Sequence, residues 1–165
     1  MIRTVQTEII TETIKKMCIE ANYSLSSDMV KAMRKAEEKE ESVLGKQILA
    51  QLQDNLEIAA SDMIPICQDT GMAVVFLEVG QDVHFEGGSF EDAVNEGEGF
   101  LRKSVVGDPI LRENTKDNTP AVIHTRIVEG DRVKITVAPK GFGSENMSRV
   151  FMLKPAEGLE GVKNA

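Results

Sequence analysis

No apolar run in the 165-residue sequence approaches the roughly 20 residues that a membrane-crossing helix needs, so no membrane role is expected. The opening MIRTVQTEII alternates polar and apolar residues and lacks the continuous apolar centre of a secretion signal, which makes a cytoplasmic location the expectation. Positive charge is also scarce: 19 Lys and Arg against 27 Asp and Glu leave a formal charge of -8. Nucleic acid and anionic membranes both demand a basic surface, so neither is an expected partner. An anionic small molecule stays open, because a few arginines and lysines can build a positive pocket inside an acidic protein. The two cysteines, Cys18 and Cys67, lie in dissimilar contexts and make no disulfide framework. Of the two histidines, His84 reads as a surface or strand-edge residue and His124 as a cross-strand one, rather than as ligands or proton carriers.

What is present fits an ordinary globular chain, with 41% hydrophobic and 28% charged residues. One domain spanning 1–165 is expected, with a helical part over 1–60 and a sheet-containing part over 61–165. Helical spacing runs over about 5–21, with Ile9, Ile10, Ile14, Met17, Cys18 and Ala21 in one apolar stripe. A second helix follows the capping candidates Ser26, Ser27 and Asp28, with Met29, Val30, Met33 and Ala36 inward, and a third follows Ser42. The apolar, β-branched run 73–79 predicts a buried strand that 81–85 extends or pairs with. Ser89 is placed to cap a short helix. Alternating residues over 121–128 and 132–138, around Glu129-Gly130-Asp131, predict a β-hairpin. The fold class expected is α+β, with N-terminal helices packed on a largely antiparallel or mixed sheet containing that hairpin.

Chemistry concentrates where the helical period gives way to the strand period, at Ile64-Pro65-Ile66-Cys67-Gln68-Asp69-Thr70-Gly71. Pro65 biases the residue before it away from helix, and Gly71 permits backbone geometries that other residues resist. A constrained turn can aim Cys67, Gln68 and Asp69. A thiolate is a soft ligand for iron or zinc, a carboxylate can move protons, and a carboxamide can hold a carboxylate or hydroxyl. By itself one Cys next to one Asp is weak evidence, because an isolated cysteine is more often a small buried hydrophobe.

The stretch IPICQDTGMAVVF resembles the cysteine motif of class I fumarases and the related tartrate dehydratases, which are iron–sulfur hydro-lyases. FLRKSVVGDP, DNTPAVIHTRIVEGDRVKITVAPKG, GSENMS and MLKPAEG resemble successive segments of that family's α subunit or N-terminal region, so the likeness spans nearly the whole chain. Two departures stand out. Family members carry several more residues between the equivalents of Gly97 and Glu98, and a smaller residue where Phe142 stands.

The resemblance implies a part in an iron–sulfur hydro-lyase, with reversible hydration of fumarate to malate as the first reading and tartrate dehydration as its alternative. Cys67 is then the first ligand of a four-iron, four-sulfur cluster and Asp69 an acid–base residue. Gln68, Arg102 and the backbone around Gly143 become contacts for a small dicarboxylate substrate; guanidinium matches a carboxylate in a planar fork. The family's other two cluster cysteines lie downstream of this sequence, and Cys18 cannot replace one by motif. The implied partners are a β subunit or C-terminal domain and the remainder of the α subunit, in a homo- or hetero-oligomer. This chain alone is expected neither to retain the cluster nor to hydrate fumarate. A reading of a different class, a non-catalytic assembly domain that binds a partner, uses the same helices and strands.

Overall fold

The computed structural model describes residues 2–67, 72–99, 119–141 and 148–165. Strand β1 (Arg3–Gln6) leads into helix α1 (Thr7–Tyr23), followed by α2 (Ser27–Lys39) and α3 (Val43–Asp62). Strands β2 (Met72–Gly80) and β3 (Val83–Glu86), helix α4 (Phe90–Glu98), then β4 (Val122–Val128) and β5 (Val133–Lys140) follow. A 3-10 turn over Pro155–Glu157 precedes helix α5 (Gly158–Asn164). The α+β expectation holds, with a mixed sheet.

The core forms between α1, α4 and one face of the three-stranded sheet β4-β2-β5. Ile10, Ile14 and Cys18 supply the stripe from α1, and Val94 comes from α4. Ala73, Val75, Leu77 and Val79, alternate residues of β2, face them. Helices α1 and α4 approach closely because position 97 has no side chain: a Cβ there would lie 2.8 Å from the Thr11 carbonyl oxygen and 2.9 Å from the Ile14 Cβ. Thr11 Oγ1 donates to the Ala93 carbonyl at 3.0 Å across the same contact. Helix α4 runs unbroken through Gly97 and Glu98, and Ser89 Oγ caps it by accepting from the Asp92 N–H.

The hairpin expectation is overturned. β4 and β5 do not pair with each other; β2 lies between them, parallel to β4 and antiparallel to β5. Alternation records which face a strand buries and is silent about its neighbour. The most apolar strand takes the centre, while Pro139, which has no N–H for a ladder, sits on the β5 edge. The connection 129–132 must then span two strand spacings, about 10 Å, and four extended residues reach roughly 13 Å. It crosses the end of β2 at Gly80, where a Cβ would meet the Gly130 carbonyl oxygen at 2.3 Å. The Gly80, Gln81 and Asp82 N–H groups donate to the carbonyls of Arg132, Val128 and Gly130 at 2.8, 2.8 and 3.0 Å.

Three smaller expectations are also corrected. The residues before Thr7 form β1 instead of opening the first helix, and β3 pairs in parallel with β1 instead of extending β2. In α2, Met29 and Ala36 are exposed and no residue is buried. His124, by contrast, plays the cross-strand role expected of it: it pairs in register with Phe76 and stacks on its ring at 5.1 Å between centroids.

Candidate active site

Helix α3 ends in Met63, which adopts a left-handed conformation (φ 54, ψ 42) and returns its N–H to the Ala59 carbonyl. A side chain in that conformation costs roughly 1 kcal/mol, here set against sharp termination before Pro65. The next contact docks the chain onto α1: the Ile66 N–H donates to the Asn22 carbonyl at 2.8 Å, satisfying one of the carbonyls that the last turn of a helix leaves open. Asn22 is itself buried, its Nδ2 donating to the Cys18 carbonyl at 2.8 Å. From the other side, Asn55 Nδ2 of α3 donates to the Ile66 carbonyl at 3.1 Å. Both faces of the Ile66 backbone are held, and Cys67 follows directly with its side chain in solvent.

The chain re-enters the fold at Met72. Ala73 N–H donates to Glu98 Oε1 at 2.8 Å, and Glu98 is fully buried. One turn earlier on α4, Asn95 Oδ1 accepts from the Ala121 N–H at 2.9 Å, at the entry to β4. A carboxylate and a carboxamide three residues apart on one helix thus complete the hydrogen bonding where β2 and β4 begin.

Of the sequence-predicted site residues, Cys67 is described, while Gln68, Asp69, Arg102 and Gly143 lie outside the described residues. Residues flanking those segments on one side or the other are described, and several of them meet at one end of the sheet. Met72, which resumes the chain after the cysteine turn, pairs with Lys140, two residues before the segment containing Gly143. Val74 pairs with Val122, just after the segment containing Arg102. Glu98, just before that segment, bonds Ala73. Met72, Glu98, Val122 and Lys140, each within a few residues of one of these segments, therefore lie near one another. A groove of about 570 Å³ between α1 and α3, lined by Lys15, Tyr23, Ala60 and Met63 among others, does not include Cys67.

An iron–sulfur cluster is held by cysteine thiolates. Cys67 is an exposed thiol and fits as one ligand. Cys18 does not: it is fully buried, and burial, assisted by the nearby Glu98 charge, pushes its thiol from an ordinary value near 9 up to about 12. A ligand must be a thiolate, and that environment opposes one. Among the described residues no three His, Cys, Asp or Glu side chains gather to hold a metal. Of the two cysteines, Cys67 alone is exposed.

Sequence reasoning passed over Asn55, Asn95 and Glu98. A signal for Glu98 was there, since it falls on the apolar face of α4 with Ala93, Val94 and Gly97. Asn55 carried none, because a carboxamide on a solvent-facing helix is commonplace.

The sequence model of the family described as Fumarate hydratase (Fumerase) matches residues 11–165. A putative L(+)-tartrate dehydratase subunit alpha from Methanocaldococcus jannaschii is 36% identical over 94% of this chain and 58% of its own length. The L(+)-tartrate dehydratase subunit alpha of Escherichia coli strain UTI89 is 29% identical over 93% of this chain and 53% of its own. The anaerobic class I fumarate hydratase of Escherichia coli K12 is 36% identical over 64% of this chain and 21% of its own. The chain spans little more than half of the two α subunits it matches.

Proposed function

This chain belongs to the fumarate hydratase (Fumerase) family, and from that premise we propose that it is part of the α component of an iron–sulfur hydro-lyase acting on a small dicarboxylate. The observation that supports the reading is the nearness, at one sheet end, of Met72, Glu98, Val122 and Lys140, which flank the segments that follow Cys67 or contain Arg102 and Gly143. Cys67 would hold one iron of a four-iron, four-sulfur cluster, with the other ligands supplied from outside this chain. When bound, the cluster supplies Lewis-acid chemistry at the hydroxyl that leaves as water. Asp69 exchanges the proton at the neighbouring carbon. Gln68, Arg102 and backbone N–H groups beside Gly143 bind and orient the two carboxylates.

Reversible hydration of fumarate to malate is the first reading. Tartrate dehydration is the second, favoured by one observation: the α subunits match over 94% and 93% of the chain, the class I fumarate hydratase over 64%. A separate β subunit is the partner that those subunit names imply. The chain alone is proposed to be inactive, and the cytoplasm is its proposed setting; no helix among the described residues is long and apolar enough to cross a membrane.

The test is anaerobic reconstitution of the complete α chain with its partner, wild type and Cys67→Ala, measuring iron and sulfide content and turnover of fumarate and tartrate. Wild type is expected to hold a cluster and turn over one of them; the variant should lose both. A Cys67→Ala assembly with an intact cluster and full turnover sinks the assignment. A wild-type assembly with no cluster and no hydration favours a non-catalytic, partner-binding domain instead.

A further inference from the structure

We infer that the outer face of the β4-β2-β5 sheet docks the separate partner subunit through one amphipathic helix with acidic flanks. The inference rests on the reading of this chain as one component of a site completed from outside it, but the face is defined without reference to any metal.

Every second residue of β2 turns away from the core, and the register names its neighbours. Val74 lies between Val122 of β4 and Ala138 of β5, and Phe76 lies between His124 and Thr136. The next row sets Glu78 between Arg126 and Lys134, and at the opposite end Met72 pairs with Lys140. Phe76 is 46% exposed and Val122 36%, although Phe76 stands midway along the central strand. Parallel sheets are nearly always covered on both faces, and the β2–β4 half of this sheet is parallel. An apolar centre inside a charged rim is the anatomy of a contact between separately folded chains.

Charge and shape narrow the occupant. Three cations, Arg126, Lys134 and Lys140, against one anion, Glu78, leave this face at +2, while the whole chain carries -8. A second copy bound across a two-fold axis would set the face against itself, cation upon cation. Helix α5 does not complement it either, because its Glu160 is paired with its own Lys163 at 2.7 Å. A partner with acidic residues does. Adjacent strands lie about 4.8 Å apart, so three strands measure about 10 Å between the outer two, the diameter of one α-helix with its side chains. A helix laid over β2 puts its apolar stripe on Val74 and Phe76 and its acidic flanks beside Arg126 and Lys134. Met72, Val122 and Lys140 belong both to this face and to the sheet end where the candidate site gathers, so a subunit docked here is carried to the site.

The experiment titrates the complete α chain with its separate partner subunit and reads the Kd by sedimentation at low and high salt. Ala138→Glu, which puts a charge into the apolar centre, is expected to weaken binding about ten-fold or more. Arg126→Glu on the rim should weaken it several-fold at low salt, an effect that shrinks as salt rises. Lys35→Glu on α2, the same change in net charge on another surface, should stay within about two-fold of wild type. All three positions are exposed, so the variants are expected to keep the wild-type denaturation midpoint. Wild-type affinity in Ala138→Glu, or Arg126→Glu no weaker than Lys35→Glu, overturns the inference. So does a wild-type α chain that binds no separate subunit, or one that self-associates until Ala138→Glu disperses it, since a second copy is then the occupant. An assembly that loses affinity as expected yet holds no cluster and hydrates neither substrate upholds this docking surface and overturns the hydro-lyase reading instead.

Discussion

Helix α1 and helix α3 are both long and both amphipathic, yet they end up in opposite situations. α1 buries Thr7, Ile10, Thr11, Ile14, Cys18 and Asn22, because α4 and the sheet close over its apolar stripe. α3 buries Ala59 alone and leaves Val43, Leu44, Ile48, Leu52 and Ile58 exposed. The segment 148–165 resembles α3: Val150 and Met152 are almost entirely in solvent, and Leu159 and Val162 are mostly so. An apolar stripe in a sequence announces that something will cover it, not that the same chain supplies the cover. The chain completes one core around α1 and β2 and presents further apolar surface outside it. This contrast accords with a component of a larger assembly.

Truncations on the two sides should separate the regions most sharply. Leu77→Ala removes a side chain that is 1% exposed at the centre of β2, and is expected to cost about 2–5 kcal/mol in chemical denaturation. Leu52→Ala on α3 should stay within about 0.5 kcal/mol for this chain. Equal losses at the two positions would mean that α3 is covered after all. Gly97→Ala tests the same contrast by crowding: its Cβ would press on Thr11 backbone 2.8 Å away, where α1 and α4 touch, so a loss of about 1–3 kcal/mol is expected.

Much of this architecture was legible, and the misses share a cause. The periodicity of α1, the caps at Ser42 and Ser89 and the buried alternation of β2 are local signals, and each element appears where its own residues call for it. The partner of a strand is not a local property. β4 and β5 have a hairpin's alternation and a hairpin's turn, yet β2 arrives from fifty residues earlier and takes the place between them. The same limit governs the site. Cys67 was singled out by the resemblance of its turn to a family motif, whereas Asn55 and Glu98 bond backbone atoms that only the fold brings near. Arg102 and Gly143 remain attributions from resemblance, with only their flanking residues described.

A gentler probe of the closed core leaves every side chain in place and changes pH. The Cys18 thiol is held up to about 12 in the folded chain by burial first and the Glu98 charge second, against an ordinary value near 9. Above pH 9 the unfolded chain releases this proton and the folded chain does not, so the folded state loses stability as pH rises from about 9 toward 12, and the contribution is unchanged below that window. Cys18→Ala should flatten this part of the alkaline limb in denaturation midpoints recorded across the window. If Cys18→Ala keeps the wild-type slope, the alkaline loss belongs to other groups.

The smallest expected effect lies on the sheet's outer face, opposite the core. Lys134 Nζ sits 3.1 Å from Glu78 Oε2, across the β2–β5 register, and both side chains are substantially exposed. Water and salt screen such a pair, and holding two flexible side chains together offsets part of the attraction, so Glu78→Gln should cost no more than about 1 kcal/mol. Even that should fade as salt rises to 1 M. A larger, salt-insensitive loss at Glu78 would mean that this face is shielded from solvent, and the boundary between closed core and open surface would have to be redrawn through the sheet itself.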